Sequence, residues 1–247
     1  MKKLISILLT VCICFSLGTV LTACNGVGGV DNPYANFLSS FHQNNGTEYF
    51  EDSTGVGSKE QVSDYTSVNC SVYFYGTKGP RNSLHVQINN ATETFTNEPG
   101  PTDDVNFFMR GVIRYTANSN TLTVIINNFG YNTYSAEKIV NNKTQYEWKD
   151  GFAFNPASDG TGVKEILILE YDISKYFENG SLEVADATVT KDFDMQYLTD
   201  DCKGMIDTEH TYTERNPEWK ATAMTHINSR VNAILEGLDA LIEEKSK

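Results

Sequence analysis

The chain has 247 residues and a formal net charge of −13, from 32 acidic and 19 basic residues. An acidic surface is repelled by phosphates and by anionic lipid headgroups, so the charge argues against nucleic-acid binding and against a domain that lies on a membrane. The length is enough for one large domain with its own core, or for two small ones.

The first 23 residues contain the three parts of a secretory signal. Lys2 and Lys3 precede an apolar run from Leu4 to about Val20, and small residues follow it. A transmembrane helix is the alternative interpretation. The run is slightly short for a span of about 20 apolar residues, and no charged stop-transfer flank follows it.

The segment Leu21-Thr22-Ala23-Cys24 resembles the lipobox of bacterial lipoproteins, in which an aliphatic residue and two small residues precede a cysteine. The resemblance implies that the sulfur of Cys24 receives a diacylglyceryl group and that the peptide bond before it is cut. The protein would then be anchored to the bacterial membrane by acyl chains such as palmitate, with its domain outside the cytoplasm. Loss of Lys2 and Lys3 with the leader takes the charge from −13 to −15.

These features predict four regions. Residues 1–23 form a cleaved signal peptide, and residues 24–32 form the lipidated cysteine and a flexible tether. Residues 33–200 form a β-rich domain with a leading short helix, and residues 201–247 form an acidic connector and a C-terminal helix packed on the domain. A tether of this length reaches only about 15–18 Å as a random coil, so we expect the domain to stay close to the bilayer.

The mature chain begins with a predicted short helix. Asn32 is a suitable cap and Pro33 a suitable first residue, and the apolar side chains that follow fall on one stripe. That stripe is Tyr34, Phe37, Leu38 and Phe41.

The middle of the chain alternates apolar and polar residues with period two, as half-buried strands of antiparallel sheets do. The alternation covers 68–74, 83–88, 105–115 and 122–126, and the turn at Asn118-Ser119-Asn120 makes the last two a hairpin. Further strands are predicted at 145–148, 165–171, 182–189 and 193–198, with 165–171 central because it is apolar on both faces. This pattern predicts an antiparallel β-sandwich, jelly-roll-like, with a barrel as the alternative.

One short segment supports the sandwich. Tyr171-Asp172-Ile173-Ser174-Lys175-Tyr176-Phe177, followed by Gly180 and Leu182-Glu183-Val184, is similar to the strand–helical turn–strand segment of galactose-binding-like jelly rolls. The resemblance covers about twenty residues and implies a sandwich and glycan binding. It assigns no binding residue in this chain.

The chain ends in a predicted long amphipathic helix, which begins after Asn216 and Pro217 and continues to about Lys245. Its apolar stripe is wider than the two positions per heptad of a coiled coil, so we expect it to pack on the β-domain rather than on a partner helix. The stripe consists of Met224, Ile227, Val231, Ile234, Leu235, Leu238, Leu241 and Ile242.

Two cysteines remain in the mature chain once Cys24 is acylated. Cys70 and Cys202 either form a disulfide in an oxidising compartment or are two separate buried thiols. No CxxC pair or group of histidines accompanies them, so a zinc site is not expected.

We expect no catalytic residue, no metal and no cofactor. The chain has no GxSxG, P-loop, dinucleotide-binding GxGxxG or HExxH motif. Acidic residues are dense between Asp192 and Glu209, where calcium is the alternative to a solvated connector, although the spacing does not match an EF-hand. Pairs of carboxylates for a hydrolase cannot be identified from the sequence.

Aromatic residues provide the candidate ligand site. Tyr131, Tyr134, Tyr146 and Trp148 lie in a region rich in Asn, Thr and Gly, where flat rings can stack on sugars or contact a protein. Core packing is the alternative. We therefore expect a non-catalytic cell-envelope lipoprotein that binds a protein or envelope component, with a carbohydrate-binding module as the alternative and a hydrolase as the third hypothesis.

Overall fold

The computed structural model describes most of the chain from Asn32 onward, and these residues form one compact unit. The described residues are 32–40, 47–56, 65–75, 83–95, 104–117, 119–134, 138–140, 143–145, 148–156, 164–201 and 210–247. The helices are α1 (Pro33–Ser40), α2 (Ile173–Asn179), α3 (Tyr212–Arg215) and α4 (Trp219–Lys245). The strands are β1 (Thr47–Val56), β2 (Tyr65–Tyr75), β3 (Ser83–Phe95), β4 (Asp104–Thr116), β5 (Thr121–Tyr134), β6 (Lys138–Val140), β7 (Lys143–Gln145), β8 (Trp148–Phe154), β9 (Leu167–Asp172), β10 (Thr188–Lys191) and β11 (Leu198–Asp201).

Nine of these strands form one antiparallel sheet. Seven of them follow the order β1-β2-β3-β4-β5-β8-β11, and the other two, β9 and β10, branch from β5. Strands β6 and β7 pair with each other. The sheet forks at β5, because residues Thr121–Ile126 pair with β9 and residues Phe129–Tyr134 pair with β8. Strand β9 pairs with β5 on one side and with β10 on the other. A strand with two neighbours agrees with the central position predicted for 165–171. The predicted hairpin joins β4 to β5, and the Ser119 amide donates to the Thr116 carbonyl at 2.9 Å.

Two bulges at the same level bend the sheet. Asn89 is an extra residue in β3 and Asn127 is an extra residue in β5, on either side of Gly111 in β4. A β-carbon on Gly111 would lie 2.2 Å from the Ile125 carbonyl oxygen, which is backbone of the neighbouring strand. The close approach of the two strands therefore requires glycine at this position.

The core lies between one face of the sheet and α4. Alternate residues of β2 to β5 and of β9 are buried, among them Phe74, Val86, Ile113 and Val124. The predicted stripe of α4 is buried against them except for Met224, which is half-buried. The helix runs across the sheet, with Trp219 near β8 and its C-terminal half over β2 and β3.

The antiparallel β class and the long C-terminal helix are confirmed. The short N-terminal helix is present too, and the Asn32 side chain accepts a hydrogen bond from the Ala35 amide at 3.0 Å. Nine of the described strands form a single open sheet whose covered face packs against helices. A sandwich of two facing sheets is not shown by these elements and stays a prediction. Among the described helices, none is long and apolar enough to cross a bilayer.

One carboxylate joins three helices. Asp239 of α4 accepts hydrogen bonds from the hydroxyls of Tyr34 in α1 and Tyr176 in α2, each at 2.7 Å. Burial is the main cause that raises the pKa of both tyrosines, and the negative charge of Asp239 raises them further. Burial also raises the pKa of Tyr171 to about 12. The folded chain therefore holds these three phenol protons more tightly than an unfolded chain does.

We expect the protein to lose stability above pH 10. Unfolded tyrosines lose their protons near pH 10, whereas the folded ones keep them, so the unfolded state then binds fewer protons. This contribution is complete below about pH 10 and is lost as the pH rises toward 12. Urea unfolding at pH 9 and pH 11 checks it, with Tyr176→Phe as the comparison. If the variant loses as much free energy of unfolding as the parent over this range, the tyrosine explanation is wrong.

Candidate functional site

The outer face of the sheet, which points away from α4, carries an unexpected apolar patch. Val112 in β4 pairs with Ile125 in β5, and Ile125 pairs with Ile168 in β9. Ile125 is only 8% exposed, and its two neighbours are half-buried. We call these three residues the outer-face strip. The half-buried Val112 and Ile168 leave apolar area on either side of the nearly buried Ile125, on which a ligand can bury apolar groups.

Two arginines flank the strip. Arg110 and Arg114 lie two residues before and two residues after Val112, on the same face of β4, and both are exposed. Their α-carbons are about 13 Å apart for a strand rise of about 3.3 Å per residue. Neither forms an ion pair within the described part of the chain. A guanidinium group has a planar set of donors that matches a carboxylate or a phosphate.

Polar side chains continue across the strands beside Arg114. Tyr73, His85, Arg114, Thr123 and Glu170 are paired in turn, from β2 through β5 to β9. Burial lowers the pKa of His85, and the nearby charge of Arg114 lowers it further. The ring is therefore neutral at neutral pH and offers one donor and one acceptor. The strip thus lies beside a row that contains a cation, a neutral imidazole, hydroxyl groups and, at its far end, the carboxylate of Glu170.

On the Arg110 side of the strip, an aromatic side chain of the outer face packs closely on a glycine of the next strand. Phe108 of β4 pairs with Gly130 of β5, and a β-carbon on Gly130 would lie 2.4 Å from the Phe108 ring. An aromatic ring that covers a cross-strand glycine keeps the sheet surface flat and rigid at this point. The strip and its arginines are therefore held by regular strands rather than by loops.

Comparisons with known proteins add nothing to this geometry. No family model, no curated protein and no solved structure matches the chain.

The aromatic residues that we predicted as a ligand site are only partly described. Tyr131 is half-buried and packs on Phe107 and Tyr212, with ring centroids 4.8 and 4.9 Å apart. Its other ring neighbour, Phe152, contacts Trp219 of α4 at 5.1 Å. These contacts favour core packing for Tyr131. The side chains of Tyr134 and Trp148 and the whole of Tyr146 lie outside the described residues, so their role stays a prediction.

Of Cys24, Cys70 and Cys202, only Cys70 lies within the described residues. Cys24 and Cys202 lie outside the described residues, and Cys70 is buried in β2 beside a small cavity whose far wall is Gly237 and Leu238 of α4. Cys202 directly follows β11, which is five places from β2 in the strand order of an open sheet. A disulfide needs α-carbons less than about 7 Å apart. Because Cys202 is not among the described residues, the disulfide and the two separate thiols both stay predictions.

The acidic residues before α3 have structural contacts. Asp192 accepts a hydrogen bond from the Lys220 ammonium at 2.7 Å, which lowers the pKa of its carboxyl group. Asp200 accepts from the amides of Tyr212 and Thr213 at 2.9 and 3.1 Å and so caps α3. Asp207 and Glu209 lie outside the described residues. In the described part of the chain, no group of three or more His, Cys, Asp or Glu side chains is placed to hold a metal ion.

The alternation predicted over 83–88 and 105–115 puts His85, Arg110 and Arg114 on the polar faces of their strands, but it does not predict the apolar strip beside them. A signal for it was present, because Ile125 interrupts the alternation of β5 with an apolar residue at a polar-face position. The neighbours of Ile125 depend on the strand order and on the two bulges. These do not follow from a single sequence.

Proposed function

We propose that the chain is a non-catalytic, lipid-anchored protein of the bacterial cell envelope, and that its domain binds an anionic protein or envelope component through the outer-face strip. The anchor rests on the lipobox that ends at Cys24. The binding role rests on one observation, the apolar strip of Val112, Ile125 and Ile168, whose first residue lies between two exposed arginines.

The charge distribution supports an anionic partner. The chain as a whole is strongly acidic, yet Arg110 and Arg114 lie together on one face with an apolar surface between them. Complementary charge attracts a partner and orients it, while apolar contact supplies most of the affinity. The remaining acidic surface repels an anionic partner that approaches at any other face. The glycan hypothesis now depends on Tyr134, Tyr146 and Trp148, since the contacts of Tyr131 favour packing.

Site-specific cross-linking in the native cells tests the binding role. A photoreactive phenylalanine analogue at position 112 is expected to give a discrete adduct, and the same analogue at exposed position Ala240 of α4 is expected to give none. Charge reversal by Arg110→Glu with Arg114→Glu should reduce the adduct at position 112 by about tenfold or more, because the anionic partner is then repelled.

A matched pair of charge reversals is the control. Lys175→Glu with Lys247→Glu changes the net charge equally at two exposed lysines elsewhere on the surface, and it should leave the adduct unchanged. Thermal unfolding of all variants checks that the fold is kept. If position 112 gives no more adduct than position 240, or if both charge reversals act alike, the proposed binding face is wrong.

A further inference from the structure

Three exposed hydrophobic side chains of the described residues lie in one edge strand of the sheet and in the turns next to it. In the described part of the chain, the large hydrophobic residues with high exposure are Val184, Val189 and Met195, at 37%, 48% and 49%. Val189 lies in β10, and the other two lie in the 3₁₀ turns before and after this strand. Single exposed hydrophobic residues are common on protein surfaces. Three around one strand indicate a surface that a partner covers.

Strand β10 is an edge strand. Among the described strands it pairs only with β9, with Thr188 opposite Glu170 and Val189 opposite Leu169. The chain then continues along β9, and the Asp194 amide donates to the Ile166 carbonyl at 2.9 Å. The other side of this segment presents backbone groups that a further strand can pair with. The register shift after Val189 and the charge of Lys191 limit unspecific pairing at this edge.

The charges around this edge determine what kind of partner fits. Between residues 183 and 195 the chain has four acidic residues and one lysine. Lys191 lies 3.2 Å from Asp194, and Lys220 lies 2.7 Å from Asp192, so these two carboxylates are paired. Glu183 and Asp186, on either side of Val184, form no ion pair within the described residues. The apolar edge thus has an excess of negative charge beside it.

A second copy of the chain fits this edge poorly. Two such edges would bring the same unpaired carboxylates together, and each chain already carries a net charge of −13. A basic segment has the complementary charge, and alternate apolar side chains of an added strand can reach Val189 and its neighbours.

We infer that β10 is a docking edge for an extended, basic segment of a partner protein. The segment adds to the sheet as a strand next to β10 and covers Val184, Val189 and Met195. This edge borders the outer-face strip, because Lys191 of β10 pairs with Ile168. Val189 pairs instead with Leu169, on the side of the sheet that faces the core, so the two surfaces use different side chains. Either surface can fail its test without affecting the other.

Fluorescence anisotropy with the purified full-length lipoprotein in detergent tests this inference. The probe is a short labelled peptide of alternating valine and lysine, which should bind. A peptide with a central proline should bind at least about tenfold more weakly, since proline cannot complete the backbone pairing. A peptide of alternating valine and glutamate should not bind.

Matched variants locate the binding. Val189→Lys removes an apolar contact and adds a like charge, so it should weaken binding of the valine–lysine peptide by about tenfold or more. Ala240→Lys adds the same charge at an exposed position of α4 and should change binding by less than about twofold. Because Val189 is nearly half exposed, both variants should have the thermal unfolding midpoint of the parent.

Two results would overturn the inference. The first is equal binding of the peptide to Val189→Lys and to the parent, or equal binding of the proline peptide. The second is a concentration-dependent dimer of the parent that Val189→Lys abolishes, which would show that the edge joins two copies of this chain instead.

Discussion

Replacing Cys24 by alanine should abolish lipid attachment to the chain. In the proposed pathway the cysteine sulfur is the only atom that forms the thioether with the glycerol group, and alanine has no nucleophile to replace it. Cleavage before residue 24 follows acylation, so the leader should remain on the variant as well. Two buried acyl chains hold a protein far more firmly than one, and this anchoring should be lost completely rather than weakened.

Mass spectrometry of the protein purified from its native cells measures this effect directly. The parent should begin at residue 24 and carry the mass of a diacylglyceryl group, and cells fed an alkyne-labelled fatty acid should label it. Cys70→Ala is the matched control, because it removes a buried thiol of β2 and should leave the label intact. An intact leader on the parent, or a mature start without acyl mass, would show that the anchor is absent.

Substitution of Gly111 by alanine should destabilise the domain more than the same substitution at any other described glycine of the sheet. The new β-carbon would lie 2.2 Å from the Ile125 carbonyl oxygen and 3.2 Å from the Ile126 α-carbon. Both atoms belong to the backbone of β5, so no side chain can rotate to make room. Overpacking that displaces backbone costs about 1–3 kcal/mol and sometimes more, and we expect about 3 kcal/mol here.

Urea unfolding followed by circular dichroism gives the free energies. Gly180→Ala is the control, because Gly180 ends α2 with a φ of 76° and has no atom within 4 Å of an added β-carbon. Backbone strain alone should cost about 1–2 kcal/mol at that position. If Gly111→Ala costs no more than Gly180→Ala, the two strands move apart more easily than the contact at Ile125 implies.

The elements with strong periodicity could be predicted from the sequence. The β4–β5 hairpin followed from alternation around Asn118-Ser119-Asn120, and α4 followed from its apolar stripe. Alternation shows that one face of a strand is buried but does not show what covers it. A second sheet and a set of helices satisfy the same pattern, and for this reason the sandwich could not be distinguished from one sheet beneath α4.

The segment after Leu182 shows a second reason why the sequence could not predict all of the fold. Its apolar residues predicted one strand over 182–189, whereas the chain forms a 3₁₀ turn at Val184–Asp186 before the short β10. The carbonyl of Leu182 accepts hydrogen bonds from Asn228 and Asn232 of α4 at 2.8 and 2.9 Å. Asn232 also accepts from the Leu182 amide at 2.8 Å. These partners lie more than 40 residues away, so local propensity could not reveal them.

The candidate site was predictable only in its polar part. Arg110, Arg114 and His85 followed from the period of β3 and β4. Their relation to Ile125 and Ile168 depends on the fork of the sheet at β5 and on the extra residues Asn89 and Asn127. A bulge shifts every later pair by one residue, and sequence patterns seldom reveal it.

The contacts of α1 have a mechanical consequence for an anchored protein. The helix directly follows the predicted tether, and Tyr34 joins it to Asp239 of α4, while Phe37 packs on Phe74 of β2 at 5.0 Å. A pull between the bilayer and a bound partner would therefore reach both α4 and β2, through two parallel connections. The force is then shared between these connections, so it does not open the domain strand by strand from one edge.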